Sequence, residues 1–164
     1  AGHVARTAEV RARVQRTNKD LARHLRLLVA KPGLEGHANG AEQIALKARE
    51  VGMEVIYGGL RQTPKEIVTA ARDEDVDLIG LSMLSGSHLT LTEEVVAGLR
   101  EQGMLDVPIV AGGIIPKHDE PTLRALGVAE TFTPRNADLN AIMASLIDII
   151  RVANGKEALG PLEG

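Results

Sequence analysis

Leu25-Arg-Leu-Leu-Val-Ala30 is a short apolar run, and the ten residues after it, Lys31-Pro-Gly-Leu-Glu35-Gly-His37-Ala-Asn-Gly40, are dense in turn formers. Beyond them Ile44, Ala45, Ala48 and Val51 share one helical face. Asn39 and Glu42 stand in front of that face at capping-box spacing. The stretch therefore reads as strand, loop and helix, with the strand buried on both faces as in a parallel sheet. Outward from it the same unit recurs. Residues 53–57 read as a strand, and Thr63-Pro64 opens a helix with a cap residue followed by proline. Residues 77–82 form a third strand, and a helix over 91–102 is stopped by Gly103. A fourth strand over 107–111 leads into a loop starting at Gly112-Gly113, and a short helix over 121–126 ends at Gly127. A weak fifth strand over 129–132 precedes a helix over 138–153, whose buried side carries Ile142, Leu146, Ile149 and Ile150.

Strands alternating with helices specify an α/β fold, a parallel sheet with helices on both faces. Five units fit the flavodoxin-like doubly wound order, which binds ligands outside the carboxyl ends of its strands, at the topological switch point. The loops to read thus begin at Lys31, Gly58, Ser82, Gly112 and Thr133. Three regions are expected: an accessory basic N-terminal helix over 1–24, the α/β domain over 25–153, and a loose C-terminal tail over 154–164.

Composition narrows the function. The chain has 164 residues, enough for one domain but short of the roughly 250 of a (β/α)8 barrel. Having no cysteine, it has no disulfide, thiolate metal site or Cys nucleophile. It contains no apolar run of about 18 residues, and its arginine-rich start lacks a signal core, so no membrane span and a cytoplasmic location are expected. Net charge is −3, but residues 1–26 carry +5 and the remainder −8. A basic arm on an acidic body can mark nucleic acid, yet this arm has no aromatic side chain to stack on bases. A solvated or protein-docked helix is the better expectation, so no nucleic acid partner is assigned. Val10, Val14, Leu21 and Leu25 give the arm a partial apolar stripe, making it a candidate docking element.

The strand-end loops carry the chemistry. A lone histidine among glycines is more often a surface residue than a ligand. Here Glu35, two residues before His37, could accept a proton from one ring nitrogen and leave the other free for a metal, and Lys31 could pair with Glu35. One histidine does not serve zinc. It suits a metal that arrives with its other ligands attached, as in haem or a corrin. The third loop, Ser82-Met-Leu84-Ser-Gly86-Ser-His88-Leu-Thr90, is rich in small and hydroxyl residues, although Thr90 or Thr92 could merely cap the next helix. Gly112-Gly113 would let a large flat group approach the backbone, or would simply form a turn.

Together these residues resemble the cobalamin-binding domains, which carry an acid-x-His-x-x-Gly motif, then Ser-x-Leu, then Gly-Gly. Glu35-x-His37-x-x-Gly40 is followed after 41 residues by Ser82-x-Leu84 and after 27 more by Gly112-Gly113. The surrounding words, Ala30-Lys-Pro-Gly-Leu-Glu-Gly-His37, Gln62-Thr-Pro-Lys-Glu-Ile-Val68, His88-Leu-Thr-Leu91 and Gly112-Gly-Ile-Ile-Pro116, resemble the acyl-CoA mutase branch, of methylmalonyl-, isobutyryl- or hydroxyisobutyryl-CoA mutase type. The resemblance implies an adenosylcobalamin cofactor with its benzimidazole displaced, and a radical carbon-skeleton isomerase inactive without its other half. His37 would be the lower axial ligand of cobalt. Glu35 would stand for the family's usual Asp, with Lys31 as its partner and Gly36 and Gly40 in the same loop. Ser82, Leu84, Gly86 and Thr90 would line the benzimidazole slot, and Gly112 and Gly113 would give room to the nucleotide tail. The resemblance also implies a large TIM-barrel mutase subunit that binds the acyl-CoA, so this chain carries no catalytic residue of its own. The alternatives are a corrinoid methyl carrier, for which about 24 N-terminal residues are too few to build the usual helical bundle, and a degenerate regulatory paralogue without cofactor. Receiver domains share the fold, but where they place phosphoacceptor acids this chain has Lys31 and Ser82.

Overall fold

The computed structural model describes residues 2–31, 39–58, 62–83, 88–132 and 138–163. Strands β1 (Arg26–Ala30), β2 (Glu54–Tyr57), β3 (Leu78–Met83), β4 (Ile109–Gly113) and β5 (Val128–Phe132) form one parallel sheet in the order β2-β1-β3-β4-β5. This is the doubly wound order expected, and its switch point falls between β1 and β3.

Strand alternation distributes the core to two faces. Leu27, Val29, Leu78 and Val110 point to one layer, with α1 (Gly2–Leu21), α2 (Asn39–Glu50) and α6 (Leu139–Ala153). Leu28, Ala30, Ile79, Leu81, Ile109 and Ala111 point to the other, with α3 (Pro64–Asp73), α4 (His88–Glu101) and α5 (Glu120–Leu126). Local signals set the helix ends. Thr63 and Glu66 close a reciprocal capping box on α3, Asp138 accepts from the amides of Asn140 and Ala141 at the start of α6, and Gly127 ends α5 with a positive φ of 119°.

The N-terminal helix belongs to this core. Val10 and Val14 are fully buried against α2 and α6, so the apolar stripe is spent inside the chain and is not free to dock a partner. Lys47 Nζ donates to Thr7 Oγ1 at 2.8 Å, and that hydroxyl donates to Asn140 Oδ1 at 3.3 Å, which ties α1 to α2 and α6 through buried groups. Arg151 of α6 adds bonds to Thr17 and Asp20 at 3.1 and 2.9 Å. The uneven charge resolves the same way: Arg6 pairs with Asp138, Arg23 with Asp77 and Arg26 with Glu54. The basic arm is thus held by the acidic body of its own chain. The C-terminal segment, expected loose, is likewise held. The amides of Leu159 and Gly160 donate to Asp148, and Arg13 donates to the carbonyls of Gly160 and Pro161. Leu162 packs on the core.

Two local expectations are corrected. Helix α4 begins at His88, three residues before the expected start, so Thr90 and Thr92 are helical residues and not caps. Thr92 returns its hydroxyl to the His88 carbonyl at 2.7 Å. The Gly112-Gly113 pair is not the start of a loop but the end of β4, paired in register with Ser82 and Met83.

Candidate functional site at the carboxyl edge of the sheet

The site is built from the last residues of the strands. Ser82, Gly112 and Phe132 lie in one row across β3, β4 and β5, and Lys31 is the first residue past β1 on the other side of the switch point. The structure therefore brings Lys31, Ser82, Gly112 and Gly113 to one edge, although they are far apart in sequence. Lys31 is 2% exposed, and its carbonyl accepts the Gln62 amide at 3.1 Å, which holds Gln62 against the end of β1. Ser82 is half-buried, Thr90 is exposed on the first turn of α4, and Gly40 lies in the first turn of α2. Glu35, Gly36, His37, Leu84 and Gly86 lie outside the described residues.

The two glycines are unequal. Gly113 has φ +124°, and a Cβ there would lie 2.0 Å from the Met83 carbonyl oxygen. Only glycine fits, because the β3 backbone occupies the space a side chain would need. At Gly112 a Cβ would meet the Phe132 carbonyl oxygen at 3.3 Å, tight but short of a collision. Downstream, Ile114 donates its amide to Met83 O at 3.2 Å and leaves its side chain 66% exposed.

Two side chains at this edge stand out that motif reading left without a role. Gln62 is 9% exposed, packs on Gly58 where a Cβ would lie 2.0 Å from Nε2, and buries Oε1 with no hydrogen-bond partner. His88 is 5% exposed; its Nε2 lies 2.8 Å from Asp119 Oδ2, while Nδ1 is buried and unpartnered. Both open stretches that resemble the acyl-CoA mutase branch, Gln62–Val68 and His88–Leu91, but the resemblance attached no role to either side chain. Buried polar atoms are normally satisfied, so these two suit a ligand that brings hydrogen-bonding groups. The two aromatic residues, Tyr57 and Phe132, end the edge strands and pack partly buried on the core. Burial raises the Tyr57 phenol above its ordinary value, and the nearby Glu42 charge adds to the rise. No group of three or more His, Cys, Asp or Glu residues forms a metal cage among the described residues.

The sheet order defines a doubly wound α/β domain, a class in which ligands bind at the switch point, here between β1 and β3. Residues 25–141 match the B12 binding domain family, and the chain belongs to that family. It is 50% identical over 141 residues to ethylmalonyl-CoA mutase of Cereibacter sphaeroides, covering 86% of this chain and 22% of that enzyme. It is 43% identical to the 2-hydroxyisobutanoyl-CoA mutase small subunit of Aquincola tertiaricarbonis, covering 72% of this chain and 89% of that subunit. A solved cobalamin-binding protein from Desulfitobacterium hafniense DCB-2 superposes with a TM-score of 0.65 at 19% identity over 75% of this chain and 58% of that one, a likeness of fold. The chain spans about a fifth of the length of the ethylmalonyl-CoA mutases it matches. Among the described residues no helix is long and apolar enough to cross a membrane.

Proposed function

We propose that this chain is the cobalamin-holding subunit or domain of an adenosylcobalamin-dependent acyl-CoA mutase, with His37 as the lower ligand of cobalt and the cofactor's benzimidazole displaced. The observation that supports the reading is the row Ser82–Gly112 with Lys31, the residue that leads into the His37 loop, at the same carboxyl edge beside the switch point. The 89% coverage of a mutase small subunit supports the mutase branch over a methyl carrier.

Bound there, the cofactor supplies a cobalt–carbon bond that breaks homolytically. The chain's own work is ligation and orientation. Glu35 holds one ring nitrogen of His37 and so presents the other to the metal, as carboxylates do for metal-bound imidazoles, and Lys31 steadies Glu35. Ser82, with Leu84, Gly86 and Thr90, lines the slot for the benzimidazole. Gly36 and Gly40 belong to the His37 loop, and Gly112 admits the nucleotide tail, whereas the space beside Gly113 is taken by the β3 backbone. Acyl-CoA binding and hydrogen abstraction fall to a large barrel partner.

The test is reconstitution of the full chain with cobalamin. Nitrogen hyperfine structure from 15N-labelled histidine in the cobalt(II) state is expected, and His37→Ala should abolish it. Unchanged spectrum and affinity in His37→Ala would overturn the ligand assignment. Turnover should appear only on mixing with a large mutase subunit, and turnover by the lone chain would overturn the division of labour.

A further inference from the structure

The pair His88–Asp119 joins two segments that follow neighbouring strands. His88 is the first residue of α4, after β3, and Asp119 ends the single 3-10 turn Lys117–Asp119, after β4. The contact spans 31 residues, and both side chains are largely buried, at 5% and 16% exposure. A carboxylate can only accept, so Nε2 carries the proton in this bond. In the neutral ring Nδ1 is then a lone-pair acceptor, and it sits buried with nothing to accept from. A helix start needs no buried imidazole, and Asp119 could be satisfied by any donor. The unpaired Nδ1 is what a purely architectural role leaves unexplained.

We infer that His88, held in one tautomer and orientation by Asp119, is a binding residue for the nucleotide tail of the corrinoid, its Nδ1 accepting a hydrogen bond from a hydroxyl or amide N–H of that tail. The inference rests on the reading above and deepens it. Its support is placement: His88 opens α4 six residues after Ser82, Asp119 lies seven residues after Gly112, and the pair ties the start of α4 to the end of the 3-10 turn, described elements that follow the two paired strand ends. Ligand binding at such an edge would satisfy an atom that folding alone leaves orphaned.

Two substitutions separate the atoms. His88→Gln can keep a donor near the Nε2 position for Asp119 while losing Nδ1; His88→Asn keeps a polar group near Nδ1 while losing the reach to Asp119. Affinity is measured by absorbance titration for cobalamin and for cobinamide, which lacks the nucleotide tail, alongside thermal stability. His88→Gln is expected to keep its melting temperature, lose about tenfold in cobalamin affinity, and leave cobinamide affinity unchanged. His88→Asn and Asp119→Asn are expected to lower stability. In wild-type protein labelled with 15N-histidine, the His88 Nδ1 resonance should move when cobalamin binds and stay when cobinamide binds, a readout that holds even if a variant fails to fold. Equal losses for both corrinoids, no loss for either, or an unmoved Nδ1 resonance would reduce His88 to a structural latch. Wild-type protein that binds neither corrinoid would instead sink the functional reading, and this inference with it.

Discussion

Replacing Gly113 by alanine tests the geometry of the carboxyl edge without any cofactor. At φ +124° a non-glycine residue carries backbone strain of about 1–3 kcal/mol. The new Cβ would also fall 2.0 Å from the Met83 carbonyl oxygen, far inside contact distance, and that atom is backbone in the central strand β3. Relief requires β4 to separate from β3 at its end. The Ile114 amide then leaves Met83 O, a bond worth about 0.5–1.5 kcal/mol net. Together these give a destabilisation of about 1.5–4.5 kcal/mol. For a domain of this size that lowers the melting temperature by roughly 3–18 °C. Gly112→Ala is the control. Its Cβ would meet Phe132 O at 3.3 Å, which a shift of a few tenths of an ångström relieves, so a loss of at most about 1 kcal/mol is expected. Denaturant unfolding of the cofactor-free protein measures both. Two variants equal in stability, or Gly113→Ala within about 0.5 kcal/mol of wild type, would refute the close approach of β3 to Gly113. Cobalamin affinity then asks a separate question: a stable Gly112→Ala with weakened binding assigns room for the nucleotide tail to Gly112.

The remaining predictions concern α1. Val14→Ala removes two buried methyl groups between α1 and the body and should cost about 1.5–3 kcal/mol in denaturant unfolding; a change below about 0.5 kcal/mol would mean that the helix is not part of the core. Deleting residues 2–21 should expose the layer around Met143 and Ile147 to dye binding, whereas an intact, soluble domain without them would contradict the packing. Asp138 is pushed up by burial, but the Arg6 side chain and the amides of Ala141 and Asn140 outweigh this and hold its carboxyl below its ordinary 3.8. Its contribution is therefore complete above that ordinary value and is lost as pH falls through the lower folded value. Asp138→Asn, which keeps an N-cap acceptor, should flatten the acid limb of the melting-temperature profile below about pH 4; an unchanged limb would show that the Arg6–Asp138 pair contributes nothing.

Much of the fold was legible because it is written in short-range signals. Five apolar runs placed five strands, and the sheet order agrees with the doubly wound reading. Thr63-Pro64, Asp138 and Gly127 marked helix ends by local bonds and backbone preference. The misreadings came where a long-range contact overrides a local preference. Thr90 and Thr92 are good capping residues, yet α4 starts at His88, whose ring is buried against Asp119. Gly112-Gly113 looks like a turn, yet pairing with Ser82 and Met83 extends the strand through both. The apolar stripe and positive charge of residues 1–26 did not say whether their partner lay inside or outside the chain. Val10, Val14, the Arg6–Asp138 pair and the Lys47–Thr7 bond place it inside.

The site was legible in a different way. Its motif could be read along the chain, but the argument that the parts form one site depends on the sheet. Parallel order puts every strand's carboxyl end on the same edge, and register then aligns Ser82 with Gly112 beside Lys31. Spacing in sequence measures only the length of the intervening βα unit, so it can carry a family resemblance without stating why the spacing holds. A contact such as His88–Asp119 has no periodicity and no short-range signature, and its unpaired Nδ1 exists only once burial is known. Resemblance finds residues that relatives share by pattern, while unsatisfied buried atoms find residues by need. At this edge the two criteria meet at Gln62 and His88, which open stretches resembling the mutase branch and also bury unpaired polar atoms. That meeting is the physical reason to test His88 beside the residues of the motif.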